Sequence, residues 1–269
     1  MIVIKLGGNA IEGAGLSAVA RDVAKLRAEG TSVVIVHGGG PQTSALQEKL
    51  GQVPVKIAGR RVTDEAALDA LKMAVGGKLN IDTCAALLAA GASPLGLHGA
   101  SGLVVEAERR PPAVLRGGPP EPVDLGLVGD VISINLELLG LLERAGHVPV
   151  LACIGAARDG TIFNINADVV ANQVALALRA EALVLVSDTP GLLRDVKDPS
   201  SRLARIDEAE AMRGIDSGTI TAGMIPKVEE AFAAVRAGVG RVHIVGCIGE
   251  GDLARELATP GSVGTVLTR

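Results

Sequence analysis

Aromatic side chains are almost missing from this chain: its 269 residues include two phenylalanines and no tryptophan or tyrosine. Base-stacking platforms and aromatic-lined apolar pockets therefore have little to be built from. An Ala-, Val-, Leu- and Gly-biased coding background accounts for the scarcity. Concentrated positive charge is missing too, with no basic cluster beyond Arg60-Arg61 and Arg109-Arg110. A net charge of −4 and a pI near 5.6 argue against a nucleic-acid partner, which needs a basic face to neutralise phosphates. Cys84, Cys153 and Cys247 stand apart in apolar surroundings, without C-x-x-C spacing or a histidine at metal-ligand spacing. They read as small buried hydrophobes of a reducing compartment, with a reactive thiol as the alternative. No run approaches the roughly 18 apolar residues of a membrane span, and the chain opens on a strand pattern rather than a basic, cleavable leader. We therefore expect a cytoplasmic protein with no membrane partner.

Two common phosphate-binding motifs are also absent. Gly76-Gly77-Lys78-Leu79 lacks the first glycine and the hydroxyl of a P-loop. Gly13-Ala14-Gly15-Leu16-Ser17-Ala18 fits G-x-G-x-x-A by letter, but it lies several residues past its strand, where no dinucleotide turn belongs.

With 48% hydrophobic and 21% charged residues, the chain is an ordinary globular one, long enough for one large α/β domain or two lobes sharing a sheet. Strand-like β-branched runs alternate with segments of helical period. Ile2–Leu6 precedes a helix over Leu16–Glu29, whose Val19, Val23 and Leu26 share a face, and Val33–Val36 precedes a helix over Gln42–Leu50, with Pro41 at its start. Helices over Ala66–Val75 and Leu79–Ala90 lead to a strand at Pro94–Leu97, and Leu136–Ala145 leads to Val148–Leu151. A helix over Val169–Arg179 precedes the strand Leu183–Ser187; another over Ile225–Ala237 precedes Val242–Val245, and a last strand covers Gly264–Leu267. This alternation predicts a largely parallel sheet with helices on both faces. Between Gly99 and Asp130 the rhythm breaks into short β-like pieces, Leu103–Ala107 and Val123–Val128, around a Pro- and Gly-rich stretch. We read it as a hairpin excursion at the sheet edge, either covering a substrate or a tolerated surface insertion.

What stands out is a pair of glycine turns closing the first two strands, Lys5-Leu6-Gly7-Gly8 and His37-Gly38-Gly39-Gly40, each feeding a helix. Such turns bring backbone N–H groups close to phosphate oxygens, with the positive end of a helix dipole behind them. Gly223-Met224-Ile225-Pro226-Lys227 sets another lysine at a helix start.

Six segments resemble the amino acid kinase family in its order and approximate spacing: Ile4-Lys5-Leu6-Gly7-Gly8, Val36-His37-Gly38-Gly39-Gly40-Pro41, Gly59-Arg60-Arg61-Val62-Thr63-Asp64, Phe163-Asn164-Ile165-Asn166-Ala167-Asp168, Leu185-Val186-Ser187-Asp188-Thr189-Pro190-Gly191 and Gly223-Met224-Ile225-Pro226-Lys227-Val228. The resemblance spans nearly the whole chain. It implies an open αβα sandwich with a mostly parallel central sheet shared by two lobes: residues 1–178 for the amino acid and dimerisation, 179–269 for ATP. It implies transfer of the γ-phosphate of ATP to the side-chain carboxylate of N-acetyl-L-glutamate, an early step of arginine synthesis, by a homodimer.

A carboxylate with a reference pKa near 4.3 is already an ionised nucleophile at neutral pH, so no general base is needed. The obstacle is repulsion between that anion and a polyanionic phosphate, which positioned cations and N–H donors must offset. The resemblance gives that task to Lys5 and Lys227, on two sides of the transferring phosphoryl, assisted by N–H groups of Gly8 and Gly39. Asp168 takes the position that orients both lysines; its structural alternative is an N-cap for the helix beginning at Val169. Arg61 is placed on the α-carboxylate of the acceptor, a two-pronged pairing. Arg60 is read as its solvated neighbour. Gly40 and Asn164 join the acceptor side; a turn-forming pair is the alternative for Asn164-Ile165-Asn166. Gly7, Ser187, Asp188 and Thr189 are expected near the nucleotide, and His37 reads as a packed residue at a strand end. Mg²⁺ is expected with ATP, bound through its phosphates, since no carboxylate cage is visible.

Arginine-sensitive members of the resembled family carry an N-terminal helical extension; here the first strand starts at residue 2, so we expect no arginine feedback by that route. A sister kinase acting on a carrier-protein-linked aminoadipate or glutamate is the nearest rival, with Arg109, Arg110 and Arg116 available to an acidic carrier. A non-catalytic amino-acid or nucleotide sensor is another, although it has no use for Lys5, Asp168 and Lys227.

Overall fold

The structure, a computed structural model, describes residues 1–7, 12–195, 197–220, 225–246 and 249–268, with the side chains of Pro199, Pro226 and Lys227 left out. Gly8 and Cys247 lie outside the described residues. Strands and helices are numbered along the chain.

One eight-stranded sheet runs through the molecule in the order β12-β14-β13-β11-β1-β2-β8-β5. Its strands are β1 (Ile2–Leu6), β2 (Val33–His37), β5 (Pro94–Leu97), β8 (Val148–Ala152), β11 (Ala182–Ser187), β12 (Arg205–Ile206), β13 (Arg241–Gly246) and β14 (Thr265–Leu267). Every neighbouring pair is parallel except β13 and β14. The expected mostly parallel α/β sheet is thus present. β1, β2, β8 and β11 are buried along their whole length, which is why their sequences are rich in Val, Ile and Leu rather than alternating apolar with polar.

Helices α1 (Gly13–Ala28), α2 (Gly40–Lys49), α5 (Leu136–Arg144), α6 (Ala167–Ala177), α7 (Glu208–Asp216), α8 (Ile225–Ala237) and α9 (Asp252–Ala258) join these strands or pack beside them. α1 buries Leu16, Val19, Val23 and Leu26, spaced three and four apart on one face. The two helices expected over 66–90 are instead one rod. α3 (Glu65–Leu71) passes through a π-helical segment, Lys72–Leu79, into α4 (Asn80–Ala89). Gly76-Gly77 looks like a break because glycine is a poor helix former, yet here the wider turn absorbs it.

The expected hairpin excursion is also different. β6 (Val105–Arg109) pairs antiparallel with β7 (Gly129–Ile134), so the returning strand is 129–134 rather than 123–128. Together with β9 (Ile154–Ala156) and β10 (Ile162–Asn164) they form a separate sheet, β10-β9-β6-β7, rather than extending the edge of the main one. The intervening segment is ordered by its own cluster, in which Leu115, Leu125 and Val128 are buried against Ile57, Ala58, Val62 and Val123. It packs on a small ribbon, β3 (Lys56–Ile57) with β4 (Arg60–Arg61), whose turn holds Ala58 and Gly59 at φ 48° and 76°.

Register positions the site. Leu6 of β1 lies level with His37 of β2 and with Val186 of β11, and the Gly38 N–H donates to the Leu6 carbonyl at 3.1 Å. The two strand ends that carry the glycine turns are therefore side by side. The chain leaves β1 toward β2 and returns later on its other side as β11, a crevice-forming reversal of the kind that holds ligands in open α/β sheets.

Candidate active site

A cavity of about 440 Å³ opens at the carboxyl ends of these strands, bounded by Asn164 at the end of β10 and by Arg110, Leu125 and Val128 of the 110–128 connection. Lys5 lies on its floor, only 8% exposed, with Nζ 2.7 Å from Asp168 Oδ1. The lysine also explains its glycine: a Cβ on Gly7 would stand 2.4 Å from Lys5 Nζ. Asp168 is the second residue of α6 but not its cap, which corrects the structural alternative. Asn166 is the N-cap, accepting from the Asp168 N–H at 2.9 Å and leaving the Asp168 carboxylate for Lys5. α8, whose third residue is Lys227, packs against α6.

The second turn is held tightly. A Cβ on Gly39 would meet Leu79 Cδ1 at 2.3 Å and Val75 Cγ2 at 2.9 Å, both from the π-helical segment. Gly40 opens α2 with Pro41 behind it, so the N-terminal end of that helix faces the cavity. The Thr43 hydroxyl closes the turn by donating to the Gly39 carbonyl at 2.8 Å.

Arg61 reaches the cavity from β4. Its guanidinium donates to Gln47 Oε1, to the Gly40 carbonyl at 2.8 Å and to Ser44 Oγ at 2.7 Å, all on α2. These acceptors are neutral. Among the described residues no carboxylate pairs with Arg61, and burial lowers its pKa, as expected for a cation short of counter-charge. An anion entering the cavity would supply it. Asn164, at the end of β10, donates from Nδ2 to Thr63 Oγ1 at 3.0 Å, which leaves Oδ1 as an acceptor.

Lys5, Gly7, Gly39, Gly40, Arg61 and Asn164 thus line one cavity, with Asp168 paired to Lys5 at its floor. Ser187, Asp188 and Thr189 sit at the end of β11 on the same edge of the sheet, outside that lining. Sequence reasoning missed Glu230, which also lines it; one turn along α8 from Lys227, it falls on the same helix face, the signal that could have found it. Burial first, then the charge of Asp168, raises its pKa above the usual carboxylate range, while Arg60, Lys5 and Arg110 pull it back. Cys153 is buried, its thiol pushed up to about 12 chiefly by burial, so it is no nucleophile. Among the described residues, no helix is long and apolar enough to cross a membrane. Chemically, the cavity offers fixed cations and N–H donors and is suited to bringing anions together.

Comparison with known proteins agrees with that chemistry. Residues 1–246 match the family described as "Amino acid kinase family". The acetylglutamate kinase of Sorangium cellulosum (strain So ce56) is 56% identical over 267 residues, covering 99% of this chain and 94% of that protein. Among solved structures, smu.665 from Streptococcus mutans UA159 is similar with a TM-score of 0.77 at 32% identity, covering 99% of this chain and 98% of that one. N-acetylglutamate synthase from Neisseria gonorrhoeae, complexed with coenzyme A and N-acetyl-glutamate, has a TM-score of 0.82 at 25% identity, over 100% of this chain and 59% of that one.

Proposed function

The chain belongs to the amino acid kinase family, and from that premise we propose that it carries out the acetylglutamate kinase reaction of arginine synthesis: the γ-phosphate of ATP passes to the side-chain carboxylate of N-acetyl-L-glutamate. The observation that carries the reading is two separate anion-holding devices in one cavity, the Lys5–Asp168 pair at 2.7 Å and the buried Arg61 without a carboxylate partner among the described residues.

A carboxylate oxygen of the acceptor attacks the γ-phosphorus in line, the bond to the β–γ bridging oxygen breaks, and ADP departs. The nucleophile is ionised at neutral pH, so the protein's work is to offset repulsion and hold the in-line geometry. Lys5 and Lys227 neutralise charge on the transferring group, Asp168 keeps them aimed, and N–H groups of Gly8 and Gly39 add donors. Arg61 and Gly40 hold the α-carboxylate end of the acceptor. Asn164, with Nδ2 committed to Thr63, accepts the acetamido N–H through Oδ1. Ser187, Asp188 and Thr189 contact the nucleotide from residues 179–269, the lobe that serves ATP, while residues 1–178 serve the acceptor and lend Gly7 to the nucleotide's phosphates. Mg²⁺ enters with ATP as part of the substrate; among the described residues no three His, Cys, Asp or Glu side chains converge to hold a resident ion.

The enzyme is in our reading a cytoplasmic homodimer. Exposed Met73, Ile81 and Leu88, seven to eight residues apart on the 65–89 rod, support an apolar face for the second copy. The carrier-linked rival is weakened because Arg109, Arg110 and Arg116 are already paired, with Asp124 at 2.8 Å, Asp130 at 2.6 Å and Glu229 at 2.8 Å. A hydroxamate assay with Mg-ATP and free acetylglutamate, glutamate, aspartate or carbamate tests the proposal. Acyl hydroxamate is expected from acetylglutamate above the others, and no turnover with free acetylglutamate would overturn it.

A further inference from the structure

His37 ends β2 with none of its surface exposed, yet its imidazole is fully engaged. Nδ1 lies 3.0 Å from the Gly38 carbonyl, and Nε2 lies 2.9 Å from Asn80 Nδ2, which also donates to the Val150 carbonyl at 3.0 Å. The polarity of this chain has one solution. A backbone carbonyl only accepts and an amide nitrogen only donates, so Nε2 is the acceptor from Asn80 and the single ring proton sits on Nδ1, donating to Gly38. Burial, the dominant effect, lowers the ring's pKa to about 4, which keeps that tautomer neutral at working pH. The chain begins at β8 and passes through the first residue of α4, so its anchor is rigid.

A trans peptide plane points its carbonyl and the next residue's N–H in opposite directions. Fixing the Gly38 carbonyl therefore fixes the Gly39 N–H. The linkage needs fixing, because a peptide between two glycines has no Cβ to resist a flip. On the other side Leu79 and Val75 leave no room beside Gly39. Among the described residues the N–H groups of Gly39 and Gly40 meet no acceptor of the protein's own, and both residues line the cavity. We infer that His37 is a positioning residue, whose Nδ1–H holds the Gly38 carbonyl so that the Gly39 N–H is presented to the anion in the cavity. This rests on the kinase reading above. Asn80 sets the tautomer and is the second member of the device.

Two substitutions separate the ring's two ends. Asparagine at 37 can place an amide donor where Nδ1 stands, whereas glutamine reaches toward the Nε2 position and leaves the Gly38 carbonyl free. With the full-length enzyme, His37→Gln should lower kcat about tenfold or more with KM for both substrates changed by less than about threefold, since a donor present only part of the time forfeits part of the 10² to 10³ such a donor supplies. His37→Asn should recover kcat to within about threefold of wild type. Equal kcat in His37→Gln and wild type, or equal losses in both variants at matched folded fraction, would overturn the inference. Should the variants fail to fold, the ¹⁵N shifts of the wild-type imidazole, assigned through Gly38, decide it: an Nδ1–H tautomer supports the device and an Nε2–H tautomer overturns it. A wild-type enzyme inactive on acetylglutamate would sink the kinase reading and leave the tautomer result standing.

Discussion

Asp168→Asn removes one charge and almost no volume, and its effect can be worked from the pair it breaks. Lys5 Nζ and Asp168 Oδ1 are 2.7 Å apart, with side chains 10% and 16% exposed, in a cavity whose other charged lining residues are Lys56, Arg60, Arg61, Arg110 and Glu230. Asparagine still accepts from Lys5, so the bond keeps one ionised partner and loses the attraction between two charges. Bonds to a charged group contribute about 1.5 to 3 kcal/mol, and a fall from the top of that range to its bottom loses about 1.5 kcal/mol from Lys5 alone. At 1.36 kcal/mol per decade this is roughly a 13-fold fall in kcat. Orientation of Lys227 by the same carboxylate doubles the energy to about 3 kcal/mol, roughly 160-fold. The assay is steady-state ADP release with saturating acetylglutamate, beside a calorimetric melt. A first-turn carboxylate acting only on the helix dipole contributes about 0.3 to 1 kcal/mol to stability and nothing to turnover. A variant with kcat within twofold of wild type and a lowered Tm would therefore refute the catalytic reasoning.

Gly39→Ala should be worse than its size implies, because the added Cβ meets the fully buried Leu79 and Val75 at 2.3 and 2.9 Å. Overpacking costs about 1 to 3 kcal/mol, and a turn displaced by about 1 Å loses roughly 10² in kcat. Gly51→Ala, at φ 74° with nothing within 4 Å, is the control; it should keep its kcat, and equal behaviour of the two variants would remove the packing argument. Acid stability should depend on Glu256. Burial pushes this carboxyl up, but His243 at 2.8 Å and the N–H groups of Gly264, Val263 and Gly261 outweigh it and hold the pKa at about 2. Because the folded value lies below the unfolded one of 4.5, the contribution is complete above about pH 4.5 and is lost as pH falls toward 2, on the order of 3 kcal/mol in all. Urea melts across that window should show the slope in wild type and a shallower one in Glu256→Gln; parallel slopes would contradict it.

Much of the frame was legible because it is written in local patterns. The runs Ile2–Leu6 and Val33–Val36 needed only β-branching and burial to read as parallel strands, and Ile225–Ala237 reads as the helix it forms. Glycine close to lysine at the end of β1 stood out without a structure, and Lys5 and Gly7 line the cavity. Legibility failed where a residue's partner lies far along the chain. Gly76-Gly77 signals a break until Gly39 accepts Val75 and Leu79 against itself, which favours one continuous rod. The β6–β7 excursion looked like an edge hairpin until β9 and β10 paired with it, a matter of long-range register. Asp168 carried a helix cap as its structural alternative because Asp caps helices well, and the structure gives the cap of α6 to Asn166 and pairs Asp168 with Lys5.

By itself, then, the sequence determined the alternation of strands and helices and the glycines and lysine at the ends of β1 and β2, since these depend on backbone freedom and side-chain type within a few positions. Only the tertiary structure decided which charges meet. Lys5 is joined to Asp168, Arg61 is spent on neutral acceptors of α2 and left without a carboxylate among the described residues, and His37 is turned by Asn80 so that its proton faces Gly38. Each of these is a side-chain direction fixed by packing between distant segments, and no local propensity encodes it.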